Sequence, residues 1–424
     1  MPDEHVPSVK TRDFPGTPVT AVNFDPRRDL LLGLFQAGLA RVDGRRCVSA
    51  ALARAPLTAP VYVAAIGKAA ATMALGAHDA LGEAIERTLI ITRDPPDLGA
   101  FPGGAAPELW LAAHPVPDER SLAAGSRLLA WIDELPQRGL PLFLVSGGSS
   151  SLVEVLEPGL TLHDLEALTR EALASGSAIG EINAQRAARS RIKGGRLAAR
   201  LGGRAARALF VSDVPRDDPR IIGSGLMGPA PGGPDHVQRE VVASVDQAVA
   251  AVAARAAEWG LSVHAPPGRF ADDAGRLAVR FAHELLLSPA QLCVWGGEST
   301  VQLPARPGHG GRNQHLALAA ARLIAGHPDL MLLAAGTDGS DGVTDDAGAL
   351  VDADTCARLT LAELDADRCL AQADSGRALA ASGDLVHTGP TGTNVGDLVV
   401  GLKLSADAAL ALAQRHGSAR PRML

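Results

Sequence analysis

The chain has 424 residues and a formal net charge of −7, and 46 of its residues are glycine while only 3% are aromatic. An apolar fraction of 46%, with glycine that follows no triplet period, excludes a disordered chain, a collagen and a coiled coil. The acidic balance and the shortage of rings argue against binding to nucleic acid or to an anionic membrane surface.

The first residues of the sequence are polar and rich in proline, so residues 1–22 are expected to form a disordered or loosely attached tail. No apolar core of a signal peptide and no apolar stretch of membrane-spanning length is evident. The four cysteines are too far apart for a CxxC pair and are expected to be buried free thiols. A cytoplasmic protein is therefore expected.

After this tail, short apolar runs alternate with helix-compatible segments, and the first helix is predicted to begin at Asp25–Pro26. Strands are predicted at residues 61–66, 88–92, 109–113, 140–145, 208–212, 262–265, 291–295, 330–335 and 398–404. Helices are predicted at residues 69–81, 121–134, 162–175, 237–259, 316–324 and 406–414. The alternation predicts an α/β protein with a parallel sheet covered on both faces. The Pro266–Pro267 break predicts domains at residues 23–265 and 268–424.

Ligands of α/β sheets bind at the carboxyl ends of the strands, and here glycine-rich polar turns follow several of them. Lys68 follows the first strand through Gly67, where its ammonium can neutralise an anion bound at the next helix. The turn after residues 140–145 offers bare backbone amides and hydroxyls for an anion; it comprises Ser146, Gly147, Gly148, Ser149 and Ser150. A solvated lysine and a plain linker are the alternative interpretations.

Residues 181–196 are predicted to form a helix with a polar, basic face that carries Asn183, Arg186, Ser190 and Lys193. A solvated face is the ordinary meaning of such a stripe, but the glycine pair at residues 194–195 favours a site. Asp213 ends the following strand, where a carboxylate can hold Mg²⁺ together with phosphate oxygens and water.

The second half repeats this arrangement of polar residues after strands. An arginine at a helix N-terminus opposes the helix dipole, so Arg312 suggests a bound anion. The other candidates of this half lie in glycine-rich turns and are Glu298, Asn313, Asp338, Asp341, Thr391 and Asn394. Cations, carboxylates and anion-binding turns together fit phosphoryl transfer. A G-x-G-x-x-G run at residues 223–228 is rejected as a dinucleotide fingerprint, because prolines follow it instead of a helix.

Seven runs carry a family resemblance: VSGGSSSL (145–152), IKGGRLA (192–198), SDVPRDDP (212–219), WGGEST (295–300), GGRNQHLALAAA (310–321), GTDGSDGVTDDAGALVD (336–352) and TGPTGTNVGDL (388–398). In this order they resemble the class II glycerate 2-kinases. The resemblance implies a Rossmann-like three-layer N-terminal domain and a smaller α/β C-terminal domain of the MOFRL type, with the active site in the cleft between them. It also implies phosphorylation of D-glycerate at O2 by ATP with Mg²⁺, although some members carry the name hydroxypyruvate reductase.

Residue by residue, the resemblance matches Lys68 and Arg312 to the family's basic active-site pair. We predict Lys68, Arg312, Asp338 and Asp341 as catalytic residues, and Asp213 and Asp338 as metal ligands. Residues predicted to bind the hydroxy acid or the nucleotide are Ser146, Gly147, Gly148, Ser149, Ser150, Asn183, Arg186, Lys193, Glu298, Asn313, Thr391 and Asn394. No nucleic-acid or membrane partner is expected, and a homodimer is left open.

The chain departs from the family pattern at several motif positions. A Lys-His pair of the family is replaced by Ala187 and Ala188, and a glycine by Arg216. Further differences are Leu226, Met227 and Gly396. They leave open a kinase for another sugar acid or 2-hydroxy acid, and a diverged, weakly active homologue. A hydroxypyruvate reductase is the less favoured alternative, because the sequence has no valid nicotinamide fingerprint.

Overall fold

The structure is a computed structural model that describes residues 25–57, 60–102, 106–167, 185–232 and 235–416. The predicted tail at residues 1–22 and the candidate Asn183 lie outside the described residues. The first helix begins as predicted: Pro26 is its first residue, and the Asp25 carboxylate accepts a hydrogen bond of 2.9 Å from the backbone N–H of Arg27.

Helices with both ends in the described residues are labelled in chain order as α1 Pro26–Arg41, α2 Gly44–Arg54, α3 Ala70–Leu81, α4 Glu119–Asp133, α5 Ser149–Leu152, α6 Arg196–Ala199, α7 Val245–Glu258, α8 Ala274–Leu287, α9 Arg312–Ile324, α10 Thr355–Leu361, α11 Ala366–Ala371, α12 Ser375–Ser382 and α13 Ala406–His416. Residues 162–167 and 185–188 are also helical. Strands are β1 Val61–Ile66, β2 Ile85–Thr92, β3 Glu108–Leu111, β4 Leu140–Val145, β5 Ala206–Val211, β6 Val237–Ala243, β7 Val263–His264, β8 Leu292–Gly297, β9 Leu330–Gly336, β10 Gly348–Asp352, β11 Leu385–Val386 and β12 Asp397–Lys403.

The first sheet has the strand order β3-β2-β1-β4-β5-β6, and all its strands are parallel. This is the order of the dinucleotide-binding Rossmann fold, in which the order reverses between two central neighbours. Here those neighbours are β1 and β4. The turns after these strands, at Lys68 and at residues 146–150, therefore open into the same crevice at the edge of the sheet.

The second sheet has the order β11-β10-β9-β12-β8-β7, and among the described strands only the β7–β8 pair is parallel. The parallel sheet expected from the strand–helix alternation is therefore the first one, and this half forms a mixed sheet. Its strands are apolar on both faces because helices cover both. Leu292 and Val294 join the core beneath α1 and α7, whereas Cys293 and Trp295 join the core beneath α8 and α9. A strand buried on both faces reads the same in either direction.

Four segments also differ in secondary structure from the prediction. The helix predicted at residues 237–259 is a strand, β6, followed by a helix that begins only at Val245. The helix predicted at residues 181–196 is not continuous, because the described turn ends at residue 188 and Ser190 forms a bridge with Leu156. Strands β10 and β11 were not predicted. In the first two cases a period of 3.6 residues was assigned to segments whose neighbours in the sheet decide the backbone.

The first helix of the chain packs against α7 and against β12 of the second sheet. A Cβ atom at Gly38 of α1 would lie 3.0 Å from Val252 of α7 and 3.1 Å from Leu398 of β12. Strand β7, which precedes the predicted boundary, pairs with β8 of the second sheet. The domain limits at residues 23–265 and 268–424 remain a prediction. The turns after β1 and β5 contact turns of the second half, because Lys68 pairs with Asp338 and Asn394 donates to Asp213.

Candidate active site

Lys68 joins the two sheets at the end of β1. Its Nζ atom lies 2.6 Å from Oδ2 of Asp338, which follows β9 in the second sheet. The preceding Gly67 has a φ of +130°, and a Cβ atom there would lie 2.1 Å from Oγ of Ser146. Only glycine fits between the two turns, so the sequence Gly67-Lys68 brings the ammonium group into the crevice.

The 146–150 turn is held by the backbone on one side and contacts site residues on the other. Ser146 is fully buried, and its hydroxyl accepts a hydrogen bond of 3.0 Å from the backbone N–H of Ala69. A Cβ atom at Gly147 would lie 2.0 Å from both Oδ2 of Asp213 and Nδ2 of Asn394. Gly147 therefore allows a carboxylate and an amide to approach the turn directly, whereas Ser146 fixes its position.

Asp213 follows β5, and its carboxyl group has a raised proton affinity. Burial, together with the negative charge of Glu298, raises the pKa of Asp213 to about 7. The Asn394 amide donates a weak hydrogen bond of 3.4 Å to its Oδ2 atom. Glu298, from the turn after β8, thus places a second carboxylate near the first. The two negative charges disfavour each other's ionised form.

Arg312, the first residue of α9, is surrounded by carboxylates. Its Nε and Nη2 atoms donate to Asp397 at 2.8 and 3.0 Å, and its Nη1 atom donates to Glu298 at 2.7 Å. Asp397, at the start of β12, is completely buried and also accepts from the Asn313 amide at 3.0 Å. The expected conflict with the helix dipole is therefore resolved by protein carboxylates. Asp397 was not among the predicted site residues, although it lies inside the TGPTGTNVGDL run.

Asp341 lies against the N-terminus of α9. Its Oδ1 atom accepts from the backbone N–H of Asn313 at 3.1 Å, and Oδ2 accepts from that of Gln314 at 2.7 Å. Burial raises the pKa of Asp341 to about 7. Both of its oxygens are thus used to cap a helix inside the protein.

A cleft of about 150 Å³ separates the Lys68 turn from the turns of the second half. Asp338 lies at its base, where the hydroxyl of Ser340 donates to the same carboxylate at 3.2 Å. Burial opposes ionisation of Asp338, but the adjacent Lys68 ammonium lowers its pKa below the ordinary value. Thr391 lines the cleft and donates its hydroxyl proton to the carbonyl of Thr337. The cleft therefore presents an ionised carboxylate, an ammonium and hydroxyl groups.

Comparison with known proteins agrees with this architecture. Residues 30–256 match a family described as "Domain of unknown function (DUF4147)", and residues 291–397 match the MOFRL family. The chain is 34% identical over 420 residues to the D-glycerate 2-kinase of Thermotoga maritima, across 89% of this chain and 99% of that protein. The chain belongs to the class II glycerate 2-kinase family.

Other members of the family are similar at comparable levels. A glycerate 2-kinase of Pyrococcus horikoshii is 31% identical, across 81% of this chain and 88% of its own length. A putative hydroxypyruvate reductase of Agrobacterium vitis is 35% identical, across 88% and 93%. The crystal structure of the Thermotoga maritima glycerate kinase superposes with a TM-score of 0.77 at 32% identity, covering 89% of this chain and 99% of that one. The predicted family and the two-part α/β fold are confirmed.

Two basic residues, Lys193 and Arg186, lie behind the 146–150 turn. Lys193, from the IKGG run, is completely buried and forms an ion pair with Glu154. Burial lowers the pKa of Lys193. Arg186 donates from Nη1 to the hydroxyl of Ser150 at 3.4 Å. Ser149 is buried, and its hydroxyl has no hydrogen-bond partner in the described part of the chain. Neither Glu154 nor the nearby His114 was predicted, because nothing in their sequence surroundings signals burial.

In the part of the chain that the structure describes, no group of three or more His, Cys, Asp or Glu side chains is arranged to hold a metal ion. A magnesium site of the kinase type does not need one, because Mg²⁺ takes one or two carboxylates and completes its shell with phosphate oxygens and water. Among the described residues, no helix is both long and apolar enough to span a bilayer.

Proposed function

We propose that this chain transfers the γ-phosphoryl group of ATP to O2 of D-glycerate with the help of Mg²⁺, giving 2-phospho-D-glycerate. The Lys68–Asp338 pair is the observation that carries the proposal, because it places an ammonium in the crevice where parallel sheets of this order bind nucleotides. Relatives named D-glycerate 2-kinase and glycerate 2-kinase, at 34% and 31% identity, support the choice of acceptor.

The side chains around Asp213 fit a magnesium ion. Asp213 and Glu298 are oxygen donors of the kind that Mg²⁺ prefers, and burial together with the charge of Glu298 raises the pKa of Asp213. Asp213 would hold the ion with Glu298 beside it, and Asp338 is the other predicted ligand. When bound, Mg²⁺ would withdraw charge from the phosphate oxygens of ATP.

The remaining work in phosphoryl transfer is positioning and charge neutralisation. Lys68 would face the negative charge of the transferred group, and Asp338 would hold the ammonium in place and orient the acceptor hydroxyl. Backbone amides of the 146–150 turn and of the turn around Thr391 would bind phosphate oxygens. Because Asp341 caps α9 and Arg312 is held by Asp397 and Glu298, the proposal gives these two residues a positioning role.

The experiment is a coupled assay of ADP release across a panel of 2-hydroxy acids, with the product position read by phosphorus NMR. We expect D-glycerate to be the best acceptor and the phosphoryl group to appear on O2. Lys68→Met should lower kcat by about 10²–10³-fold without unfolding the protein, by analogy with the loss of one charge-stabilising donor. Arg45→Met removes an exposed cation that pairs with Asp79, and it serves as the control that keeps full turnover.

Two results would contradict the proposal. One is a folded Lys68→Met protein with full turnover. The other is a wild-type protein that releases no ADP with any acid of the panel. Preference for another acid would replace D-glycerate as the acceptor, which the alanines at residues 187–188 leave open. Hydroxypyruvate with NADH or NADPH belongs in the same panel, and we expect no turnover, because Gly67-Lys68 stands where a dinucleotide fingerprint would follow β1.

A further inference from the structure

A buried polar cluster lies behind the 146–150 turn, and among the residues that the structure describes it contains two cations and one carboxylate. Lys193 and Glu154 form an ion pair in which both side chains are fully buried. The other carboxylate oxygen of Glu154 accepts the backbone N–H of Val155 at 2.9 Å. Arg186 adds a second cation to the cluster and raises the energy of the charged lysine beside it. One carboxylate thus serves two cations.

Arg186 has most of its hydrogen-bonding capacity left over. A guanidinium offers five N–H donors, and in the described residues Arg186 uses one of them, in the 3.4 Å contact with Ser150. Its Nε atom is buried without a partner there, and no described carboxylate lies within ion-pair distance. Leaving a buried charged donor unsatisfied is costly, so such an arrangement points to an anionic ligand.

The other cations of the site differ from Arg186 in this respect. Lys68 is paired with Asp338, and Arg312 is paired with Asp397 and Glu298. A negative ligand would have to compete with these internal carboxylates at either position. At Arg186 it would meet a guanidinium that no described carboxylate contacts at ion-pair distance, because Glu154 acts on it only from farther away.

The surroundings of Arg186 are suited to a small oxyanion. Ser150 shares a hydrogen bond of 2.7 Å with Ser224 and receives the Arg186 contact, so its hydroxyl is fixed in orientation. Across the turn, a Cβ atom at Gly148 would lie 3.2 Å from both His114 and Lys68. Burial and the nearby Lys68 charge lower the pKa of His114 well below its ordinary value, so the ring is neutral at pH 7 and can donate a hydrogen bond.

The helical turn that carries Arg186 is fixed from below. Arg196 donates to the backbone carbonyls of Ala187 and of Ser190, the latter at 2.8 Å. Arg189, three residues after Arg186, donates a hydrogen bond to the carbonyl of Gln185 in its own turn. Arg186 is therefore held in place by this turn. The family's Lys-His pair is replaced by Ala187 and Ala188 in this chain, so neither position supplies a cation beside Arg186.

We propose that Arg186, with the hydroxyl of Ser150, binds the carboxylate of the acceptor acid and makes that carboxylate a requirement for binding. The proposal rests on the proposed function in one respect, that the acceptor is a hydroxy acid. The planar guanidinium matches a carboxylate through two parallel N–H···O bonds, which a lysine ammonium does not reproduce. The acceptor hydroxyl would then lie on the Lys68 side of the turn.

Binding measured without turnover tests this assignment. Isothermal titration of the full chain with D-glycerate, and with glycerol as the neutral probe, should show binding of the acid and none of glycerol. Arg186→Gln should weaken D-glycerate binding by about 10- to 100-fold, the loss expected for hydrogen bonds to a charged group. Arg186→Lys should recover only part of it. Arg189→Gln is the matched control and should bind D-glycerate as the wild type does.

Kinetics and stability separate this role from others. In Arg186→Gln the KM for the acid should rise about 10- to 100-fold while the KM for ATP stays within about twofold. Melting temperature should not fall, because the variant removes a partly buried charge that no described carboxylate contacts at ion-pair distance. A raised KM for ATP with an unchanged KM for the acid, unchanged D-glycerate binding in Arg186→Gln, or no D-glycerate binding by the wild type would each overturn the assignment. Arg186-dependent D-glycerate binding by a wild type without ADP release would support it while contradicting the proposed kinase activity.

Discussion

Replacing Asp213 by asparagine should show how much free energy of unfolding the ionised carboxylate costs. Burial and the charge of Glu298 raise the pKa of Asp213 from an ordinary 3.8 to about 7. Because the folded-state value is the higher one, the carboxyl stays protonated on folding while the unfolded chain loses its proton. The stability from this group is therefore fully present below about pH 4 and is lost as the pH rises through about 7.

The size of the effect follows from the two pKa values. An interval of about three pH units, at about 1.4 kcal/mol for each, corresponds to about 4 kcal/mol. Asp213→Asn removes the ionisation and keeps the shape of the side chain. The variant should therefore have a free energy of unfolding up to about 4 kcal/mol higher than the wild type at pH 8, with the difference close to zero at pH 4.

Urea unfolding of both proteins at a series of pH values between 4 and 8, without added metal, measures this difference. Asp341 also has a pKa of about 7, but it is present in both proteins and its contribution cancels. Asp133→Asn is the control, because Asp133 is half-exposed in an ion pair with Arg200 and should give no gain at pH 8. A variant that is less stable than the wild type at pH 8 would refute the reasoning.

Magnesium provides the second arm of the same experiment. If Asp213 holds the ion, Mg²⁺ should stabilise the wild type at pH 8 and should stabilise Asp213→Asn much less. Its effect on the wild type should weaken below pH 7, where the carboxyl must first release a proton. Equal stabilisation of both proteins by Mg²⁺ would remove Asp213 from the metal site.

Two further substitutions test the packing that forms the site. Gly147→Ala places a Cβ atom 2.0 Å from Asp213 and Asn394, so it should displace the turn. We expect kcat to fall by about 100-fold and the free energy of unfolding to fall by about 1–3 kcal/mol. Gly33→Ala on α1 is the control for the same denaturation and ADP-release assays, and it should be neutral or stabilising because the nearest atom to its Cβ would be 3.4 Å away. Asp397→Asn should cost about 3 kcal/mol in urea unfolding, because Arg312 and Asn313 lose a fully buried carboxylate. The double variant with Arg312→Gln should cost less than the two single changes combined, and strict additivity would show that the pair is not coupled.

The sequence was sufficient for features that depend on neighbouring residues. Strands β1 and β4 were predicted to the residue, because each is an uninterrupted apolar run that ends at a polar glycine turn. The same local signal located Lys68 and the 146–150 turn at strand ends. Parallel strand order then brings these turns together, since β1 and β4 are neighbours at the point where the order reverses.

Features that depend on distant partners could not be predicted in this way. Arg312 was expected to face an anion, but its charge is met by Asp397, which lies 85 residues later in the chain and adjacent only because β12 pairs with β8. Asp341 was a catalytic candidate by composition, yet α9 approaches closely enough for its backbone to occupy both carboxylate oxygens. The direction of the strands in the second sheet could not be predicted either, because helices cover both of its faces.

The charged side chains around the 146–150 turn differ in whether they have an ion-pair partner. Lys68 with Asp338, and Arg312 with Asp397 and Glu298, are balanced inside the protein and fix the geometry of the cleft. Two groups have no ion-pair partner within the described residues, and they have opposite signs: Asp213 contacts the turn at Gly147, and Arg186 contacts it at Ser150. A cation would bind on the first side and an anion on the second. Under the two proposals these are the magnesium ion and the carboxylate of the acceptor, which predicts a preference for a hydroxy acid over a simple alcohol.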